Sequence, residues 1–138
     1  MELKSVTVKG RPLADVVEAE VSMATPVRDG GYPHEGARAA RLVLVREGLN
    51  SPAPDGFGLA TNDDGRTEFV EARVEFQNSL GATTYTVAAE DAYVQTFRLH
   101  CPDDESQPVT ETWVIRAGKT KLHAAGKAPE HGVPHFKR

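Results

Sequence analysis

The sequence has one cysteine, Cys101. That excludes an intramolecular disulfide framework and any multi-cysteine zinc site, and it fits a reducing compartment. Clustered cations are missing too. The 16 Lys plus Arg stand against 20 Asp plus Glu, a formal charge of -4 spread along the chain, whereas a grip on phosphate backbones needs concentrated positive charge. Nucleic acid is therefore not an expected partner. The N-terminal stretch "MELKSVTVKGRPLADVV" alternates and carries charge from its start, so it lacks the apolar core of a signal peptide. No run approaches the roughly 20 apolar residues of a membrane span, and no internal repeat or helical apolar stripe is present. These absences describe a chain expected to begin soluble and cytoplasmic, without membrane insertion.

What is present is period-two alternation, the mark of half-buried strands. At 138 residues the chain fits one domain. It is long enough to bury about two thirds of its unfolded surface without a metal or disulfides. Strands are predicted over residues 3–8, 14–23, 38–46, 67–77, 83–89, 92–100 and 109–116, with one more short segment at 120–122. Along 14–23, Val17, Ala19, Val21 and Met23 share one face and Glu18, Glu20 and Ser22 the other. The stretch "TPVRDGGYPHEGAR" reads as a projecting loop, because it is rich in glycine and proline and poor in apolar residues. Only a short helix fits "GLNSPAPDGFGLATNDDG", starting after Ser51 with Pro52 in its first turn. The fold class expected is mainly β: a small antiparallel β-barrel of two packed sheets with at most one short helix. The barrel domain is placed at 1–122 and a loosely structured tail at 123–138.

Little in this pattern carries chemistry. His123, His131 and His135 lie near one another in sequence but follow no zinc spacing. His100 and Cys101 are neighbours on a strand, so their side chains point to opposite faces and do not form a nucleophile and base. Asp63, Asp64 and Gly65 open like a calcium loop but lack its alternating oxygen ligands and closing glutamate. The glycines of "DGFGLATNDDG" have neither phosphate-loop spacing nor a following lysine. No catalytic, cofactor or metal site is expected, and the protein reads as a non-enzyme.

What the sequence does offer is contact surface. The strand centred on Leu42 and Leu44 is apolar on both faces, and the hairpin carrying Tyr93, Phe97, Leu99 and Trp113 does not confine its large residues to one side. Strands of this kind risk edge aggregation in an isolated domain and suit one that assembles through aromatic anchors. These six residues are the candidates for a subunit interface. A different class of reading is a monomeric β-barrel that holds a small ligand between its sheets.

The segments "VVEAEVSMATPVRDGGYPHEGARAARLVLV" and "EDAYVQTFRLHCPDDESQPVTETWVIRAGKTKL" together cover well over half the chain. In order and pattern they resemble the opening and closing segments of the Hcp-type (hemolysin-coregulated) tube proteins of type VI secretion systems, in their Bacteroidetes-like branch. There an EDAY strand is followed by a polar turn, a QP-apolar-T step and a strand ending in basic residues. The resemblance implies hexameric rings that stack into a hollow tube, expelled with a spike by a contracting sheath built on a baseplate. It also implies effector proteins as cargo in the lumen, and delivery outside the cell without a signal peptide. It assigns Arg28, Asp29, Tyr32, His34 and Glu35, in the long loop after the second strand, a contact with a neighbouring subunit or ring. One departure stands out: the family's amphipathic helix is replaced here by a proline- and glycine-rich stretch that leaves room for a helix only at about 54–60. That leaves the tube protein of a phage-tail-like extracellular injection particle as the neighbouring reading.

Overall fold

The computed structural model describes residues 2–24, 30–31, 39–48, 55–61, 67–124 and 131–134. Its order is β1 (Glu2–Val8), β2 (Arg11–Pro12), β3 (Val16–Ala24), β4 (Ala39–Glu47), α1 (Gly56–Thr61), β5 (Val70–Gln77), β6 (Thr83–His100), β7 (Thr110–Arg116), β8 (Lys119–Ala124) and β9 (His131–Pro134). The predicted alternation becomes this arrangement directly. In β5, Val70, Ala72 and Val74 are buried while Glu71 and Arg73 face solvent, as a pleat with one covered face requires. The turn from β1 to β2 uses Lys9 at φ 56° and Gly10 at φ 72°, a pair of positive values that matches the twist of a two-residue hairpin.

All nine strands among the described residues belong to one antiparallel sheet, with the order β2-β1-β5-β6-β7-β4-β3 and with β8 and β9 branching from β6. It folds into two leaves because β6 serves both. Residues 83–90 of β6 lie between β5 and β8, and residues 93–100 pair with β7. At the passage from one leaf to the other, Asp91 takes φ 48°, and the Gly118 N–H reaches the carbonyls of both Glu90 and Asp91 at 3.1 Å. The register slips between Val70 and Ala72 opposite this point, a bulge that bends and twists the strand. The sequence reading broke β6 into two strands here; the polar Glu90-Asp91 step is a bulge within a single strand of 18 residues.

The leaves enclose one core. Val6, Val8, Val70, Ala72, Val74 and Ala89 come from the first leaf and meet Leu42, Leu44, Val94, Trp113 and Ile115 of the second. The expected mainly-β class with one short helix is found, but the ladder of hydrogen bonds does not close: β2 and β3 end the path without pairing. The helix runs from Gly56 to Thr61. Asp55 caps it, accepting the Gly58 N–H at 3.0 Å. The segment expected as a loose tail contains the end of β8 and the short strand β9, which pairs with β8 from Lys119↔Pro134 to Leu122↔His131. No helix among the described residues is long and apolar enough to cross a membrane.

Candidate functional site

The second leaf is a four-stranded sheet, β3-β4-β7-β6, with two edges that are unpaired among the described residues. Among the described residues, β3 hydrogen-bonds only to β4, and residues 93–100 of β6 pair only with β7. β3 is nine residues long. Exposed backbone donors and acceptors over that length are a template for another strand. Because every pairing across the leaf is antiparallel, its two edge strands run in opposite directions.

The pleat sorts this leaf into an inward and an outward face. Inward lie the cross-strand rows Leu44–Trp113–Phe97 and Leu42–Ile115–Val94. Leu42, Leu44 and Trp113 are buried in the domain core, with Leu44 and Trp113 at 0% exposure. This corrects their reading as interface residues: the strand is apolar on both faces because one face lines the core. The other face carries Val43, Val45 and Val114, all half-buried. Phe97 is half-buried between Phe57 and Trp113 in edge-to-face contacts with centroids 6.2 and 6.1 Å apart. Tyr93 stands edge-on to Phe69. Leu99, at 56% exposure, is the one member of the candidate set that leaves most of its surface free. Arg28, Asp29, Tyr32, His34 and Glu35 lie outside the described residues, as do Asp63, Asp64, Gly65 and His135.

Sequence reasoning missed a polar network where β4 and β7 meet the segment before β3. Arg46 follows Leu42 and Leu44 on the inward face of β4 and is 3% exposed. Its Nε donates to the Ala14 carbonyl at 2.7 Å, and Nη1 to Glu111 Oε1 at 2.7 Å. Asp15 Oδ2 lies 3.9 Å from Nη2. The same Glu111 oxygen accepts the Trp113 indole N–H at 2.9 Å. The available signal was the period itself, since Arg46 and Glu111 both fall on core-facing positions of their strands.

At the tip of the β6–β7 hairpin, Asp104 Oδ1 accepts the Ser106 backbone N–H at 2.9 Å and the Ser106 hydroxyl at 2.8 Å. These bonds hold the Asp104 carboxyl below its ordinary value of 3.8. A lowered folded pKa makes this contribution to the turn fully present above the ordinary aspartate range. It is lost as pH falls through the lowered value. In an NMR titration Asp104 should titrate below the ordinary aspartate value of 3.8, and Ser106→Ala should move it up toward that value. Cys101, beside this tip, is an exposed free thiol.

No protein-family model matches this chain, and no curated protein does. Solved structures do match, along nearly the whole length. Hcp1 from Flavobacterium johnsoniae is similar with a TM-score of 0.69 at 23% identity, over 94% of this chain and 98% of that one. Hcp1 from E. coli EAEC 042 is similar with a TM-score of 0.70 at 14% identity, over 96% and 100%. A chain of the sheath-tube complex of an extracellular contractile injection system, PVC, is similar with a TM-score of 0.64 at 14% identity, over 90% and 89%. An open, two-leaved antiparallel sheet with one short helix is thus the class of structure. In particular, its fold is that of the Hcp-type tube proteins.

Proposed function

We propose that this chain is an inner-tube subunit of a type VI secretion system, acting by assembly and without chemistry of its own. The observation that carries this reading is the four-stranded leaf whose two edges are unpaired among the described residues, set in a fold shared with Hcp proteins and with a chain of a sheath-tube complex. Joined edge to edge, copies continue one sheet around a lumen, a heterologous contact that closes into a ring when the rotation between copies divides a full turn. Hexameric rings then stack into a tube. The segment between β3 and β4, with Arg28, Asp29, Tyr32, His34 and Glu35, is assigned the contact with the neighbouring subunit or ring. Spike, sheath and baseplate proteins are the partners of the assembled tube, and effector proteins its cargo. Assembly takes place in the cytoplasm, and contraction delivers the tube outside the cell. The tube of an extracellular contractile injection particle is the second reading, favoured by the likeness to the PVC chain.

The test is negative-stain electron microscopy with light scattering at two concentrations. Hexagonal rings or tubes, with a mass several-fold above 14.9 kDa, are expected. A monomer at high concentration would return the small-ligand barrel to first place.

A further inference from the structure

Resting on that reading, we infer that the two edges of the second leaf left unpaired among the described residues recognise each other through charge, with Glu18 and Glu20 on β3 of one copy meeting Arg98 on β6 of the next. The register places these residues on one surface. Glu18 pairs with Val45, Val45 with Thr112 and Thr112 with Arg98, which makes one row across the outward face. The next row is Glu20–Val43–Val114–Thr96. One edge therefore carries two carboxylates and the other a guanidinium, at matching heights.

Within one chain these charges do not meet. Three strand spacings of about 4.8 Å separate Glu18 from Arg98, roughly 14 Å in all. All three side chains are exposed, and among the described residues none has a hydrogen-bond or ion-pair partner. The outward face of the first leaf is different. There Arg73 lies 3.7 Å from Glu75, Lys121 lies 3.2 Å from Glu90, and Gln77 donates to Glu2 at 2.9 Å. These charges of the first leaf have partners within the chain, whereas Glu18, Glu20 and Arg98 have none among the described residues.

Bringing β3 of one copy against β6 of another supplies the match. The pairing is antiparallel because the edges run oppositely, and it places Glu18 one strand spacing, about 5 Å, from Arg98. Glu20 sits diagonally, a distance that long side chains span. The Val43, Val45 and Val114 strip then runs on into the next copy. The same arrangement disfavours the wrong contacts: β3 against β3 sets carboxylates together, and β6 against β6 sets the two Arg98 together. The outcome is a head-to-tail contact in place of a symmetric dimer.

Charge exchange tests this. The Glu18→Arg/Glu20→Arg chain has two positive edges, and the Arg98→Glu chain has two negative ones. Each alone should lose the ring species in light scattering and electron microscopy, at concentrations where the unmodified protein assembles. Mixed one to one, they should recover rings in which the two chains alternate, visible by native mass spectrometry as equal numbers of each. The triple variant E18R/E20R/R98E, with both edges exchanged, should also assemble alone. Neutral E18Q/E20Q and R98Q, which leave no like-charge repulsion, should weaken assembly roughly tenfold. Rings from either reversed chain alone at the unmodified level would overturn the charge code and leave the tube reading standing. So would failure of the mixture to assemble when both chains keep the unmodified circular dichroism and melting midpoint. A reversed chain that misfolds leaves the decision to the neutral variants, where unchanged assembly overturns the code. An unmodified protein that stays monomeric overturns the tube reading and the code with it.

Discussion

Arg46→Ala should cost the domain about 3–5 kcal/mol of stability, read as a fall in the urea midpoint with an unchanged slope. Its guanidinium is buried between the Glu111 carboxylate, the Ala14 carbonyl and the Asp15 carboxylate. Truncation leaves Glu111 and Asp15 without their counter-charge at sites where water reaches them poorly: Glu111 keeps 16% of its side-chain surface and Asp15 keeps 22%. The carbonyl of Ala14 loses its donor as well. Since a domain of this size is stable by only about 5–15 kcal/mol, the loss is a large share of the total. Replacing both partners, as in Arg46→Met with Glu111→Leu, should recover much of it, because an apolar pair removes the desolvation cost of both charges. What it does not recover is the acceptor of the Trp113 indole N–H, so about 1–3 kcal/mol should remain missing.

Trp113→Ala should be comparably damaging, at about 3–5 kcal/mol for emptying a fully buried indole site. The same change should release α1. A helix of six residues has no stability of its own, and this one is held because Gly56 lets its backbone lie directly on the indole. A Cβ built at Gly56 would stand 2.6 Å from Trp113 Cζ2 and 2.8 Å from Phe97 Cδ2. Trp113 is fully buried in the core, where a ring has no room to retreat, and Phe97 packs edge-on against it. Gly56→Ala should therefore undock the helix while leaving the strands paired, and hydrogen exchange at the Leu59 amide, which bonds the Asp55 carbonyl, should rise by orders of magnitude. Trp113 is the only tryptophan, so its fluorescence reports the opening directly.

The strands were legible because alternation is a local property and each leaf has one covered face. The covered face also explains the misreading of Leu42, Leu44 and Trp113. Apolar residues on both sides of β4 are equally consistent with a core side plus an outward strip, and nothing local says which side has a partner. β6 was divided because Glu90-Asp91 looks like a chain break, whereas a bulge accommodates a polar step without ending the strand. β9 was passed over because "HGVP" is short and carries glycine and proline, both unfavourable in strand interiors; it exists by pairing with β8. The free edges were the least legible. Which strand lies beside which depends on pairings across the chain, and Glu18, Glu20 and Arg98 look like ordinary solvated charges until the register sets them in rows.

The sharing of β6 between leaves has a thermodynamic consequence. A strand of 18 residues that hydrogen-bonds to β5 and β8 along one half and to β7 along the other leaves no seam at which one leaf can melt alone. The protected amides of Val74, Val87, Leu44 and Ile115, drawn from both leaves, should then exchange with a single opening free energy, as one cooperative unit. A load placed on one leaf is then carried into the other through the backbone of the strand they share.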